Sequence, residues 1–188
     1  MLFRSRLVRE FLRKAPGARV TLLYYAGHGM QVDGRNYLVP IDAKLAAPSD
    51  LPFETLELDK VLAGLDDEAR ANIIVLDACR DNPLARSFAS KLGATRSAAV
   101  PTGLAGYATV GTGTMIAFAT APGQTALDGA GVNSPFTSAF IKHVRTPGIE
   151  VNQMLTRVRV EVASATKNRQ VPWANSSLLG EVYLAGER

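Results

Sequence analysis

The chain has 188 residues, 47% of them hydrophobic and 20% charged, with a net charge of +4 and a single cysteine. Such a length builds one domain with a substantial core, and the composition is that of an ordinary globular protein. One cysteine excludes an internal disulfide framework and fits a reducing, cytoplasmic compartment, two histidines beside it are too few for a zinc cluster, and no apolar run approaches the ~20 residues of a membrane span.

In chain order, the basic start Met1–Arg6 has no apolar core behind it and is not a secretory signal. Residues 4–14 place Leu7, Val8, Phe11 and Leu12 on one side of a helix, with arginines opposite. The basic group Arg4, Arg6, Arg9, Arg13 and Lys14 reads as a solvated helix face, not a nucleic-acid patch. Ala15-Pro16-Gly17 breaks the helix. Residues 19–26 read as a buried strand leading into a tight loop, Gly27-His28-Gly29. Asp33-Gly34 is a hairpin-type turn, with a short strand from Asn36 to Ile41.

Residues 42–53 read as loop. Leu58, Val61, Leu62 and Leu65 recur at helical spacing. Residues 72–78 contain four consecutive apolar residues, Ile73 to Leu76, as in a strand buried on both faces. Residues 84–113 form a long segment rich in Ser, Thr, Gly and Ala, of a kind that is functional or disordered in compact domains. Thr114 to Thr120 is a third short strand. Ser134-Pro135 starts a helix, with Ser as N-cap and Pro at the first helical position. Val151, Met154, Leu155, Val158 and Val162 mark another helix, and Glu181 to Leu184 could supply a last strand. Strands alternating with helices predict an α/β fold with a mainly parallel sheet.

Ligands of open α/β sheets bind where strand carboxyl ends run into loops. His28 and Cys79 both stand at such ends, 51 positions apart. A cysteine nucleophile needs a thiolate, a base and donors for the developing oxyanion. His28 can take the thiol proton and return it to the leaving amine. The backbone N–H groups of Gly29 and Cys79 are the candidate oxyanion hole. Taken alone, a cysteine at a strand end is more often packing than chemistry, and a lone histidine is more often structural; the pairing raises both. No glycine-rich phosphate loop, Gly-x-Ser-x-Gly elbow or dinucleotide fingerprint is present.

Tyr24-Tyr25-Ala26-Gly27-His28-Gly29, followed by Asp77-Ala78-Cys79-Arg80, resembles the caspase-like clan of cysteine peptidases. The likeness is greatest to its bacterial metacaspase-like, or orthocaspase, members. The caspase signature Gln-Ala-Cys-x-Gly has its histidine about 50 residues upstream. Here Asp77 replaces the Gln, as in metacaspases and paracaspases, and Asp81 replaces the Gly. Ala119 to Gln124, Asp128 and Asn133-Ser134-Pro135-Phe136 resemble the segment lining the specificity pocket, and Asp128 falls at or near the arginine by which caspases bind aspartate.

The resemblance implies a three-layer α/β/α sandwich and an endopeptidase without an organic cofactor. Calcium activates some relatives, but no dense acidic cluster marks a site for it. It also implies one catalytic domain with a large-segment part at 1–83, a linker at 84–113 and a small-segment part at 114–188. Linkers of this kind are often cut during activation, which makes Arg86, Lys91 and Arg96 candidate self-cleavage sites. Asp77 and Asp128, if both face one pocket, would favour Arg or Lys at the P1 position of protein or peptide substrates and repel Asp. As plain alternatives, Asp77 braces a loop and Asp128 is a turn acid. Relatives begin with a further strand, helix and strand, so the chain is expected to be N-terminally incomplete and to leave a sheet edge unpaired. That expectation motivates an alternative, an inactive caspase-like interaction or scaffold domain. No nucleic-acid or membrane partner is expected, and the resemblance leaves the oligomeric state open.

Overall fold

The computed structural model describes residues 3–65, 70–78, 104–108 and 110–186, with residues 3–5 described by their backbone alone. Helix α1 spans Phe3–Lys14. Val8, Phe11 and Leu12 pack against the core, whereas Leu7 is 47% exposed. The helix periodicity centres the apolar stripe on positions 8, 11 and 12, so Leu7 sits on its rim and not within it. Arg6, Arg9, Arg13 and Lys14 are exposed, as expected. Lys14 pairs with Glu10 at 3.2 Å, an exposed i,i+4 pair of about 0.3–0.5 kcal/mol.

Strand β1 (Val20–Ala26) leads into β2 (His28–Val32) and β3 (Arg35–Val39). After a short 3-10 turn (Pro48–Asp50) come α2 (Leu51–Glu54), β4 (Leu56–Glu57), α3 (Leu58–Leu65) and β5 (Ala71–Asp77). Then follow β6 (Thr114–Phe118), α4 (Pro135–Val144), α5 (Val151–Ala165) and β7 (Trp173–Ser176). The main sheet has the order β1-β5-β6-β7, with β1, β5 and β6 parallel and β7 antiparallel. Every β1 residue pairs with the β5 residue 51 positions later, from Val20 with Ala71 to Ala26 with Asp77.

The apolar run of β5 is buried on both faces, as its composition requires. β1 departs from the expected buried strand. It lies at one end of the sheet, and its residues alternate: Val20, Leu22 and Tyr24 are 37–40% exposed while Thr21 is buried. An end strand has a neighbour on one side only, so one of its faces stays partly open.

Opposite faces of β5 meet different helices, because side chains alternate along a strand. Asn72, fully buried, donates to the Leu65 carbonyl at the end of α3 at 2.9 Å and accepts from Thr21 at 2.6 Å. Asp77, an odd number of residues later, meets the start of α4. α1 packs on α3, and α4 on α5. The result is a mainly parallel sheet with helices on both faces. Phe136 of α4 is fully buried and stacks on Phe140, which stacks on Tyr24 of β1. Burying such a side chain stabilises the fold by about 1.5–3 kcal/mol.

A second sheet, β2-β3-β4, is antiparallel. Asp33 and Gly34 both have positive φ, 49° and 76°, as the two central residues of a hairpin turn of the favoured hand do. His28 and Gly29 belong to β2 and not to a free loop, because their backbone pairs with Val39 and Leu38. Residues 48–54 are helical where loop was expected: the Asp50 carboxylate accepts the Ala46 and Ala47 N–H groups at 2.9 and 2.7 Å and starts the turn. Glu181–Leu184 is not a strand. Tyr183 makes one isolated bridge with Glu150, and the pairing position beside β6 is taken by β7.

Ser134 caps α4 by accepting the Thr137 N–H at 2.9 Å, as the Ser-Pro start requires. Glu150 caps α5 by accepting the N–H groups of Asn152 and Gln153. Glu161 of α5 ties the two helices together, bonding Lys142 at 2.9 Å and His143 Nε2 at 2.8 Å. The Lys142 bond, helped by a lesser contribution from the His143 bond, holds the Glu161 carboxyl below its usual range against the opposing effect of burial. A carboxyl lowered by folding contributes stability above its ordinary value of 4.5, and loses it as pH falls through the folded value. Thermal melts should therefore show wild type above Glu161→Gln at neutral pH. The gap should close as pH drops below about 4.5; a constant gap would mean the carboxylate charge is not what holds the helices.

Candidate active site

The register of β1 on β5 builds the carboxyl end of the sheet. Ala26 pairs with Asp77, and the Gly27 N–H donates to the Asp77 carbonyl at 3.1 Å, so the chain turns out of the sheet just before His28. The Tyr25 hydroxyl lies within hydrogen-bonding distance of the carbonyls of His28 (2.9 Å) and Val39 (2.8 Å), pinning the first residue of β2 to its partner strand. Two glycines flank His28 for steric reasons. A Cβ at Gly27 would stand 2.7 Å from the Tyr25 hydroxyl; one at Gly29 would stand 3.0 Å from the Ala78 carbonyl oxygen and 2.8 Å from Leu104 Cδ2. Gly29 thus packs on the backbone of the residue preceding Cys79. Nδ1 of His28 is buried and has no hydrogen-bond partner among the described residues. Cys79 itself lies outside them.

Asp77 is 0% exposed. Its Oδ2 accepts from the Ser134 hydroxyl and from Thr137 Oγ1 at 2.5 Å. Thr137 Oγ1 in turn bonds the Tyr24 hydroxyl. The other carboxylate oxygen, Oδ1, is buried with no partner among the described residues. Buried polar atoms without partners are rare and need a reason. Asp128 is exposed, in the segment between β6 and α4. That segment is tied to the body by Gln170, almost fully buried, which accepts the Leu127 N–H at 2.9 Å and donates to the Ala119 carbonyl at 2.8 Å.

Residues 104–107, within the span expected to be linker, are firmly held. The Asn36 side chain, 1% exposed, donates to the Ala105 carbonyl at 2.9 Å and accepts its N–H at 2.7 Å. Leu104 is buried against Gly29. The Tyr107 hydroxyl donates to Asp59 at 2.5 Å, and burial together with that bond raises its pKa well above the phenol range. Arg86, Lys91 and Arg96 lie outside the described residues. Among the described residues no three His, Cys, Asp or Glu side chains gather as metal ligands, and no helix is long and apolar enough to cross a membrane. A cavity of about 400 Å³ between Arg19, Arg70, Gly113 and Glu181 sits at the opposite, amino end of β1 and β5, away from His28 and Asp77.

The caspase-domain family profile matches residues 5–183. The chain belongs to the caspase-domain family. A comparison with curated proteins found no match. The family is one of cysteine peptidases, which act on proteins, and its α/β fold agrees with the mainly parallel sheet flanked by helices. Of the residues that the sequence marked, the sheet brings His28, Gly29 and Asp77 to one end. Several neighbours carried no such mark. Thr137 is an ordinary helix residue in the sequence, Asn36 an ordinary strand residue, and Leu104 one apolar residue in a polar stretch. Ser134 was visible, as an N-cap and within the segment that resembles the pocket lining, without its bond to Asp77.

Because the Ala78 carbonyl is backbone and cannot swing away, Gly29→Ala should destabilise the caspase domain by about 1–3 kcal/mol. Denaturant unfolding would measure this, and relief of the Leu104 contact by Leu104→Ala should not restore the loss. Full stability of Gly29→Ala would show that the close approach to Ala78 is not a constraint.

Proposed function

We propose that the chain is a cysteine endopeptidase cleaving after Arg or Lys, with Cys79 as nucleophile and His28 as general base. The observation that carries this reading is the register: β1 and β5 pair at an offset of 51, and His28 and Cys79 are also 51 positions apart. Membership of a cysteine peptidase family supports it. In the proposed reaction His28 takes the Cys79 proton, and the thiolate attacks the scissile carbonyl. The oxyanion is held by the N–H groups of Gly29 and Cys79. The C–N bond breaks with His28 giving its proton to the leaving amine, and water, deprotonated by His28, then hydrolyses the thioester. Among the described residues Nδ1 of His28 has no hydrogen-bond partner, which supports a dyad without a third orienting side chain.

For the P1 residue, the support is the buried Oδ1 of Asp77, which has no partner among the described residues. An acceptor kept dry at the carboxyl end of the sheet suits a cation that supplies the missing hydrogen bond. Asp128 is the second proposed acid of that pocket. Cleavage after Arg86, Lys91 or Arg96 in the linker follows if the enzyme accepts its own chain. Action in a reducing, cytoplasmic compartment would keep the single thiol available.

Fluorogenic peptides with Arg, Lys or Asp at P1 test the proposal. Turnover is expected for Arg and Lys only, with a loss of about 10³-fold or more in Cys79→Ala and His28→Ala. Undiminished turnover by Cys79→Ala would remove the nucleophile. Absence of turnover, together with no labelling of Cys79 by an arginyl chloromethyl ketone, would favour an inactive interaction domain instead.

A further inference from the structure

Asp77 is enclosed completely, yet among the described residues only one of its two oxygens has donors. A carboxylate oxygen offers about two acceptor sites. Oδ2 receives two donors, the hydroxyls of Ser134 and Thr137, and is therefore full. Each hydroxyl has one proton, and both are spent on Asp77. Ser134 accepts the Thr137 N–H with a remaining lone pair, and Thr137 must accept from the Tyr24 hydroxyl. The donors thus run one way, from Tyr24 on β1 through Thr137 on α4 to Asp77 on β5. Among the described residues Oδ1 meets no donor, which leaves its acceptor sites open.

We propose that Ser134 and Thr137 are positioning residues of the specificity pocket, which make Asp77 a one-oxygen acceptor. This rests on the reading that Asp77 receives the basic P1 side chain, and it concerns how that side chain is chosen. A guanidinium gains most over an ammonium when its planar fork meets both oxygens of a carboxylate. With Oδ2 full, that fork has nowhere to place its second N–H. Arginine and lysine then both meet Oδ1 alone, and the pocket selects positive charge without a large premium for the guanidinium. The hydroxyl pair therefore sets the ratio of Arg to Lys binding, not merely the presence of a pocket.

Removing one hydroxyl empties a site on Oδ2 and admits the fork. Thr137→Val keeps the side-chain volume and leaves the Ser134 cap in place. Ser134→Gly removes the other donor at a position where glycine is tolerated as N-cap. Affinities measured in the Cys79→Ala background do not depend on turnover. The measurement is calorimetric binding of two matched peptides, differing only in Arg or Lys at P1. In the parent the two affinities should lie within a fewfold of each other. In Thr137→Val or Ser134→Gly the Arg-to-Lys ratio should rise about tenfold, and in Thr137→Ser it should return to the parent value. A purely structural role for these hydroxyls would weaken both peptides equally.

Asp77→Asn separates the two levels of the proposal. If it abolishes discrimination of Arg and Lys from neutral P1 residues while neither hydroxyl variant changes the Arg-to-Lys ratio, the pocket stands and the positioning role is overturned. A parent that already prefers Arg over Lys by 100-fold also overturns it. If Asp77→Asn binds both basic peptides as the parent does, Asp77 is not the acceptor and both levels fall.

Discussion

Parallel pairing of β1 with β5 is the constraint from which the carboxyl end of this sheet follows. Its seven residue pairs hold a constant offset of 51, ending with Ala26 beside Asp77. The Gly27 N–H caps that ladder on the Asp77 carbonyl, and the next residue leaves the sheet to begin the β2–β3 hairpin. A slip of one residue would reverse every side chain of β1, sending Thr21 away from Asn72 and Tyr24 away from Thr137 and Phe140. The partly open face of β1 is tolerable because the register is secured by these contacts.

β5 carries two buried polar side chains in opposite roles. Asn72 is structural: its carboxamide accepts from Thr21 and Arg70 and donates to Leu65. An amide in that position joins α3, β1 and β5 without unpaired charge. Asp77 is equally buried, but among the described residues its donors crowd onto one oxygen and leave the other without a partner. A site devoted only to stability would gain from satisfying both oxygens, since an unmade bond to a buried acceptor costs about 1–3 kcal/mol. That imbalance, at the end of an open α/β sheet where ligands commonly bind, is the physical basis of the proposal that Asp77 takes part in recognition.

The segment Leu104–Tyr107 shows how the site is enclosed. Asn36 grips the backbone of Ala105 on both its donor and its acceptor, Asp59 holds the Tyr107 hydroxyl, and Leu104 lies on Gly29. The hairpin bearing His28 and the chain entering β6 therefore form one packed unit. The composition of residues 84–113 gave no sign of this, because small and polar residues have no period by which a clamped stretch differs from a loose one.

The amino-acid sequence by itself determined the alternating α/β class, the two-face burial of Ile73 to Leu76, the hairpin turn at Asp33-Gly34 and the Ser134-Pro135 helix start. All of these are local, set by periodicity and by the backbone preferences of Gly, Pro and Ser. It also marked His28, Asp77 and Cys79, because the chemistry of a nucleophile and its base confines both to a few residue types at strand ends. It misjudged the exposure of β1 and Leu7, the helix at 51–54 and the position of the last strand, since these depend on which neighbour covers which face. Only the tertiary structure decided that Thr137 and Ser134 converge on one oxygen of Asp77, and that Asn36 holds Ala105. Those partners stand 57, 60 and 69 positions apart along the chain, so no local spacing records them; the sheet register and the packing of α4 bring them together.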